Sequence, residues 1–299
     1  MSGAIRRLSF KARNFRAKRK SRAKAVPLKA LVPNLVTSLA ACAGITSIVM
    51  SSEGRFGEAQ IALLVACVCD GVDGRIARLL KASSKLGAEL DSLADFVNFG
   101  VAPALFMFYW LTGGPSHAGF EYGPAVARWV LGCSLFYAMC DCFRLARFNT
   151  MLEEEPVPYW KHFFTGVPAP GGCWMVLTPY ILLDVFDAKN CCPAVYGFFS
   201  SPGFGMAMLL FTGMLMASRI PTISLKAIHV SKKAQRPVVA FGLLLIGCLF
   251  ANLWMTLGVI GFLYILSVPF STAAFHRAKA KYLAQTPEEG GAAKGEEEQ

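Results

Sequence analysis

Between residues 69 and 100 the chain reads CDGVDGRIARLLKASSKLGAELDSLADFVNFG, and four aspartates, Asp70, Asp73, Asp91 and Asp95, stand inside or at the ends of apolar runs. An Asp at the centre of a membrane helix costs roughly 2.5–3.5 kcal/mol. Four at one depth cost on the order of 10 kcal/mol before their mutual repulsion is counted. A solvated loop would remove that cost but would not explain the spacing. Asp70, Asp73, Gly74 and Ala77 fall at i, i+3, i+4 and i+7, one face of a helix. Gly87, Asp91 and Asp95 fall at i, i+4 and i+8, again one face. The link carrying Lys81 and Lys85 is short enough to fold the two helices into an antiparallel pair whose acidic faces meet near one end. Carboxylates gathered in a partly dry site become tolerable around one or two divalent cations. All-oxygen ligands select Mg²⁺ or Mn²⁺, with Ca²⁺ also compatible. Glycines on the acidic face leave room for a bulky ligand beside the metal. A diphosphate suits that space best, because Mg²⁺ is usually shared with substrate phosphates. Arg78, one turn on, adds a charge-assisted contact.

The elements that must position these acids are apolar runs of membrane-spanning length. They cover residues 32–51, 57–79, 90–112, 124–147, 166–184, 200–219, 237–252 and 254–275, which predicts an all-α integral membrane protein of about eight transmembrane helices. The runs are continuous rather than alternating, which excludes a β-barrel. Positive charge gathers on alternate connections: the first 30 residues, Lys81 and Lys85, Arg144 to Lys161, Lys226 to Arg236, and Arg277 to Lys281. The opposite connections hold only Arg55 and Lys189, so both termini are expected in the cytoplasm.

Composition agrees. Of 299 residues, 55% are hydrophobic and 16% charged, against about 25% charged in a soluble domain. Residues 1–30 carry eleven Lys or Arg and no acid. No aromatic or nucleic-acid motif accompanies them, so they read as a cytoplasmic arm near anionic headgroups. An organelle transit peptide is the lesser alternative, and a cleaved secretory signal is not expected, given the long basic stretch and the full-length span after it. Most of the ten cysteines lie in apolar runs, where Cys behaves as a small hydrophobe, and none has zinc-ligand spacing.

The stretch has the form D-x2-D-G-x2-A-R-x8-G-x3-D-x3-D, with Asp70, Asp73, Gly74, Ala77, Arg78, Gly87, Asp91 and Asp95 at its fixed positions. This resembles the signature of the CDP-alcohol phosphotransferases throughout. The resemblance implies a six-helix core over residues 31–222, and homodimers, which are usual in that family. It implies metal binding by Asp70, Asp73 and Asp91, with Asp95 as general base and further metal contact. Residues 1–30 are then the arm, 223–278 a loop with two additional helices, and 279–299 a disordered acidic tail. The strings VPNLVTSLAACAG, DFVNFGVAPA, FRLARFN, FTGVPAPGG and ASRIPTISLK, in that order, resemble the serine-using branch of the family. That branch implies CDP-diacylglycerol and L-serine as substrates, CMP as the leaving group, a pair of Mg²⁺ or Mn²⁺ ions, and a bacterial inner membrane.

The same strings have a physical reading. Asn34 and Thr37, one turn apart on the first span, either line the nucleotide pocket with Gly74, Ala77, Arg78 and Gly87 or bond a neighbouring helix. Asn98 follows Asp95 by three residues and is placed to meet the acceptor alcohol. Arg144 and Arg147 either bind the serine carboxylate or a phosphate, as forked donors do, or anchor the helix end at the membrane surface. Lys226 and Arg219 flank another such end. Asp141, a fifth intramembrane acid, stands at i−3 from Arg144. Two rival readings remain: a glycerol-3-phosphate acceptor giving phosphatidylglycerophosphate, and a cation transporter with an acidic intramembrane site. The transporter reading lacks inverted repeats and places all its acids on one hairpin.

Overall fold

A computed structural model describes residues 31–81, 84–113, 123–151, 163–218, 220–223 and 235–285. The basic arm, Arg219, Lys226 and residues 286–299 lie outside the described residues. The helices are α1 (Leu31–Ser52), α2 (Phe56–Leu79), α3 (Lys85–Asp95), a π-helical turn (Phe96–Val101), α4 (Ala102–Thr112), α5 (Gly123–Met151), α6 (Ala169–Val185), α7 (Ala188–Cys191), α8 (Pro193–Phe199), α9 (Pro202–Ala217), α10 (Gln235–Ala251) and α11 (Leu253–Gln285). Four stretches are long and apolar enough to cross a membrane: α1, α3 through α4, α5 and the first part of α11. The α8–α9 pair, bent by 48°, makes a fifth if it is one span. Each of the eight apolar runs lies on a helix. However, α2 carries Glu58, Asp70, Asp73, Arg75 and Arg78, and α6 and α10 have 17 residues each, so length and hydropathy leave the number of crossings open. Large apolar side chains such as Leu35, Leu39, Trp129, Phe143 and Phe250 face outward, as a lipid-facing surface requires.

Packing follows side-chain size. The buried positions of α1 are Pro33, Thr37, Ala40, Gly44, Ser47 and Ser51, a stripe of small residues at helical spacing. Along that stripe α1 packs against α2, α3 and α4. Helix α5 packs on α9 and on the π turn, and α6 packs on α11. Among the described residues, the largest fully buried side chains include Tyr137, Phe99, Phe106, Met107 and Met175, which place the core between α4, α5 and α6. Phe106 stacks edge-on against Phe56 and Tyr180, with ring centroids 5.3 and 5.0 Å apart. Helix α11 reaches α6 closely because Gly258 and Gly261 face Leu182 and Thr178. By contrast α10 leaves Val238, Val239, Phe241 and Leu244 exposed.

Three local features add detail to the sequence reading. The third apolar run is not one straight α-helix. Pro103 cannot donate to the carbonyl of Phe99 four residues back, and the chain widens into the π turn just before it. The freed carbonyl accepts from the Tyr137 hydroxyl of α5 at 2.9 Å. The all-α class holds, with one short addition. A two-stranded antiparallel ribbon pairs β1 (Phe163–Thr165) with β2 (Pro221–Ile223), Phe163 opposite Ile223. Finally, α11 continues to Gln285, into the segment expected to be a disordered tail. Residues 279–285 contain no Gly or Pro to stop a helix, and the first breaker is Pro287.

Candidate active site

Asp70 sits on α2, Asp91 and Asp95 on α3, and each offers one carboxylate oxygen to a group lying within 4.8 Å of one another. Asp73 is one turn further along α2. It is 3% exposed and accepts a hydrogen bond from Thr37 Oγ1 of α1 at 2.5 Å. Helix α1 therefore holds α2 and α3 from one side, and the two acidic faces converge through their side chains. Asp73 is held by α1, and the other three acids lie closest together.

Beside the acids a cleft of ≈ 190 Å³ is lined by residues of α1, α2 and α3, among them Asn34, Thr37, Asp73, Gly74, Ala77 and Asp91. Gly87 lines it too. A Cβ at Gly74 would meet nothing within 4 Å, so the glycine opens space on the acidic face. A Cβ at Gly87 would lie 2.9 Å from Asn34 Oδ1, so that glycine lets α3 approach α1. Ser84 caps α3, accepting from the Gly87 N–H at 3.0 Å, and also lines the cleft. Its place was readable from the Ser three residues before that glycine. Arg78 is at the exposed end of α2 with its Nε on the Gly74 carbonyl at 3.0 Å.

The donor set fits a hard divalent ion: all ligands are carboxylate oxygens, and Asp95 Oδ1 is buried with no hydrogen-bond partner among the described residues. Carboxylates left this close without a cation would repel by about 3 kcal/mol per pair at an effective dielectric near 20.

Asn98 lies in the π turn and is 0% exposed, with neither amide atom hydrogen-bonded among the described residues. It is accommodated by Gly44 of α1, where a Cβ would fall 2.2 Å from Asn98 Oδ1. Sequence reasoning did not single out Gly44, although it stands seven residues after Thr37 on the same face. Asn98 is short and enclosed and cannot swing away. Gly44→Ala is therefore expected to lower transferase activity at least tenfold and to destabilise the fold by about 1–3 kcal/mol. Gly57→Ala, where a Cβ meets nothing within 4 Å, should leave both unchanged. Rates and thermal midpoints of the two variants check this.

The two arginines separate. Arg147 Nη1 donates to the Ala217 carbonyl at 2.7 Å and Nη2 to Ser218 at 2.9 Å, so it ties the end of α5 to the last carbonyls of α9. Gly166, with φ +79°, passes beside the Met216 and Ser218 carbonyls. Arg147 is thus engaged as an anchor. Arg144 donates from Nε to Val167 O at 2.9 Å, and its Nη1 is buried without a hydrogen bond among the described residues.

Residues 30–214 match the CDP-alcohol phosphatidyltransferase family model. The chain is similar to a CDP-diacylglycerol–serine O-phosphatidyltransferase of Mycobacterium leprae, 34% identical over 259 residues, covering 86% of this chain and 78% of the relative. It is also 31% identical to the protein of that name from Mycobacterium tuberculosis, over 86% of this chain and 82% of the relative. A Helicobacter pylori protein of the same name is 30% identical, over 79% and 92%.

Proposed function

The chain belongs to the CDP-alcohol phosphatidyltransferase family, and we propose that it moves the phosphatidyl group of CDP-diacylglycerol to the hydroxyl of L-serine, releasing CMP. The observation that carries this reading is the convergence of Asp70, Asp91 and Asp95 beside a cleft lined by Asp73, Gly74, Ala77 and Gly87 of the same motif. The serine acceptor is supported by the relatives, all of which carry that name.

In this reading Asn34, Thr37, Gly74, Ala77, Arg78 and Gly87 seat the cytidine diphosphate. Asp70, Asp73, Asp91 and Asp95 would hold Mg²⁺ or Mn²⁺, which supplies charge neutralisation on the diphosphate and on the departing CMP. Asp95 accepts the serine hydroxyl proton as that oxygen bonds to the phosphorus bearing diacylglycerol. The bond from this phosphorus to the bridging oxygen breaks, and that oxygen leaves with CMP. Asn98 and Arg144 hold the acceptor, and Lys226 is expected to assist from outside the described residues. The acyl chains stay in lipid while the nucleotide enters from the aqueous side. The charge asymmetry of the connections supports both termini in the cytoplasm, and the bacterial sources of the relatives support a bacterial inner membrane. The arm and the α10–α11 hairpin are accessory to a core ending near residue 222.

Purified protein given CDP-diacylglycerol with L-serine and glycerol 3-phosphate together is expected to form phosphatidylserine and CMP in equal amounts. Phosphatidylglycerophosphate as the product would replace the acceptor assignment. Ion flux without CMP release would remove the transferase reading.

A further inference from the structure

A second polar group lies beside the carboxylate cluster, and the transfer as described above uses only part of it. Asp141 of α5 is 0% exposed, and neither of its carboxylate oxygens has a hydrogen-bond partner among the described residues. On the next turn Arg144 Nη1 is 3.9 Å from Asp141 Oδ1 and is likewise buried without a hydrogen bond. Asn98 adds an unpartnered amide, also wholly buried.

A buried ion pair is tolerable only when its geometry is close and its remaining donors and acceptors are satisfied. A direct guanidinium–carboxylate bond would close to about 2.7–2.9 Å. Here the pair stands open at 3.9 Å. Arg144 is pinned by its Nε on Val167 O. Asp141 Oδ2 lies against Gly100 of the π turn, where a Cβ would come within 2.8 Å. Tyr137, one turn before Asp141, fastens α5 to the same turn through the Phe99 carbonyl. The site is therefore built: two helices, tied together, present a carboxylate, a guanidinium nitrogen and an amide with no hydrogen-bond partner among the described residues.

These groups complement a small molecule carrying an ammonium, a carboxylate and a hydroxyl. Asp141 lies against Gly100, in the π turn that directly follows Asp95. Asn98 follows Asp95 by three residues. An acceptor held this way would direct its hydroxyl toward the residue that takes its proton. We propose that Asp141 binds the ammonium group of the acceptor and, with Arg144 on the carboxylate, selects a zwitterionic α-amino acid over a phosphorylated polyol. This rests on the serine reading of the same site and extends it to a residue outside the motif. A buried carboxylate at this position attracts an ammonium and repels the phosphate of glycerol 3-phosphate, which gives selectivity by repulsion as well as by attraction.

The test uses full-length protein in lipid nanodiscs with CDP-diacylglycerol and Mn²⁺. L-Serine is compared with 3-hydroxypropionate, which has the hydroxyl and carboxylate but no ammonium. The wild-type preference for serine, as a ratio of kcat/KM values, is expected to fall about 100-fold in Asp141→Asn, the scale on which a buried charge loses its partner. Asp141→Glu should restore part of it. The ratio does not depend on how much of the variant is folded, so a loss of stability alone cannot imitate the result. An Asp141→Asn ratio equal to wild type would show that Asp141 is only structural and would overturn this proposal alone. A wild-type protein that uses glycerol 3-phosphate and not serine would overturn the acceptor reading and this proposal together.

Discussion

Asp95→Asn is expected to lower kcat for phosphatidyl transfer by about 10²–10⁴-fold, the range a positioned general base contributes. The substitution keeps the shape of the side chain and removes its ability to take a proton. Asp95 is suited to the role by position: it is the acid nearest in sequence to Asn98 and opens directly onto the π turn. It also shares a 4.8 Å neighbourhood with Asp70 and Asp91. The variant should still bind CDP-diacylglycerol, because Asn34, Thr37, Gly74 and Gly87 line the cleft without it. Initial rates of CMP release and titration of CDP-diacylglycerol onto the metal-loaded protein separate the two effects. Turnover within tenfold of wild type would place the proton acceptor elsewhere. Loss of nucleotide binding alongside turnover would make Asp95 chiefly a metal ligand.

The catalytic half of this site is legible in the sequence because it is local. Asp70, Asp73, Gly74 and Ala77 share a helix face by spacing alone, as do Gly87, Asp91 and Asp95, and a short link brings those faces together. The apolar runs likewise mark every long helix, since membrane length and continuity need no knowledge of neighbours. What escapes is set by contacts distant in the chain. The π turn depends on Pro103 withdrawing a donor and on Tyr137, from another helix, supplying one. Nothing near Asn98 says that Gly44 must stand opposite it. Arg144 and Arg147, one turn apart in a single string, look alike in sequence. Their difference lies in the carbonyls of Val167 and of Ala217 and Ser218, which the fold brings to them. Asp73 looks equivalent to Asp70 until Thr37 is seen to hold it.

Removal of divalent ions should abolish transfer and also lower thermal stability, and the two effects can be tied to one cause. Without a cation, Asp70, Asp91 and Asp95 bring like charges within 4.8 Å of one another in a partly buried site. An ion that binds only the folded form stabilises it by about 2.7 kcal/mol when present at 100 times its dissociation constant. Chelated protein is therefore expected to melt several degrees lower and to regain both its midpoint and its activity when Mn²⁺ or Mg²⁺ is restored. Asp91→Asn distinguishes charge repulsion from a general effect of chelator on the detergent or lipid. With one negative charge removed, the ion-free variant should melt at or above ion-free wild type, yet gain little from added Mn²⁺ and remain inactive. Transfer that continues at the wild-type rate in excess chelator would leave the acids without their assigned partner. A full Mn²⁺-induced shift in Asp91→Asn would move the ion away from this residue.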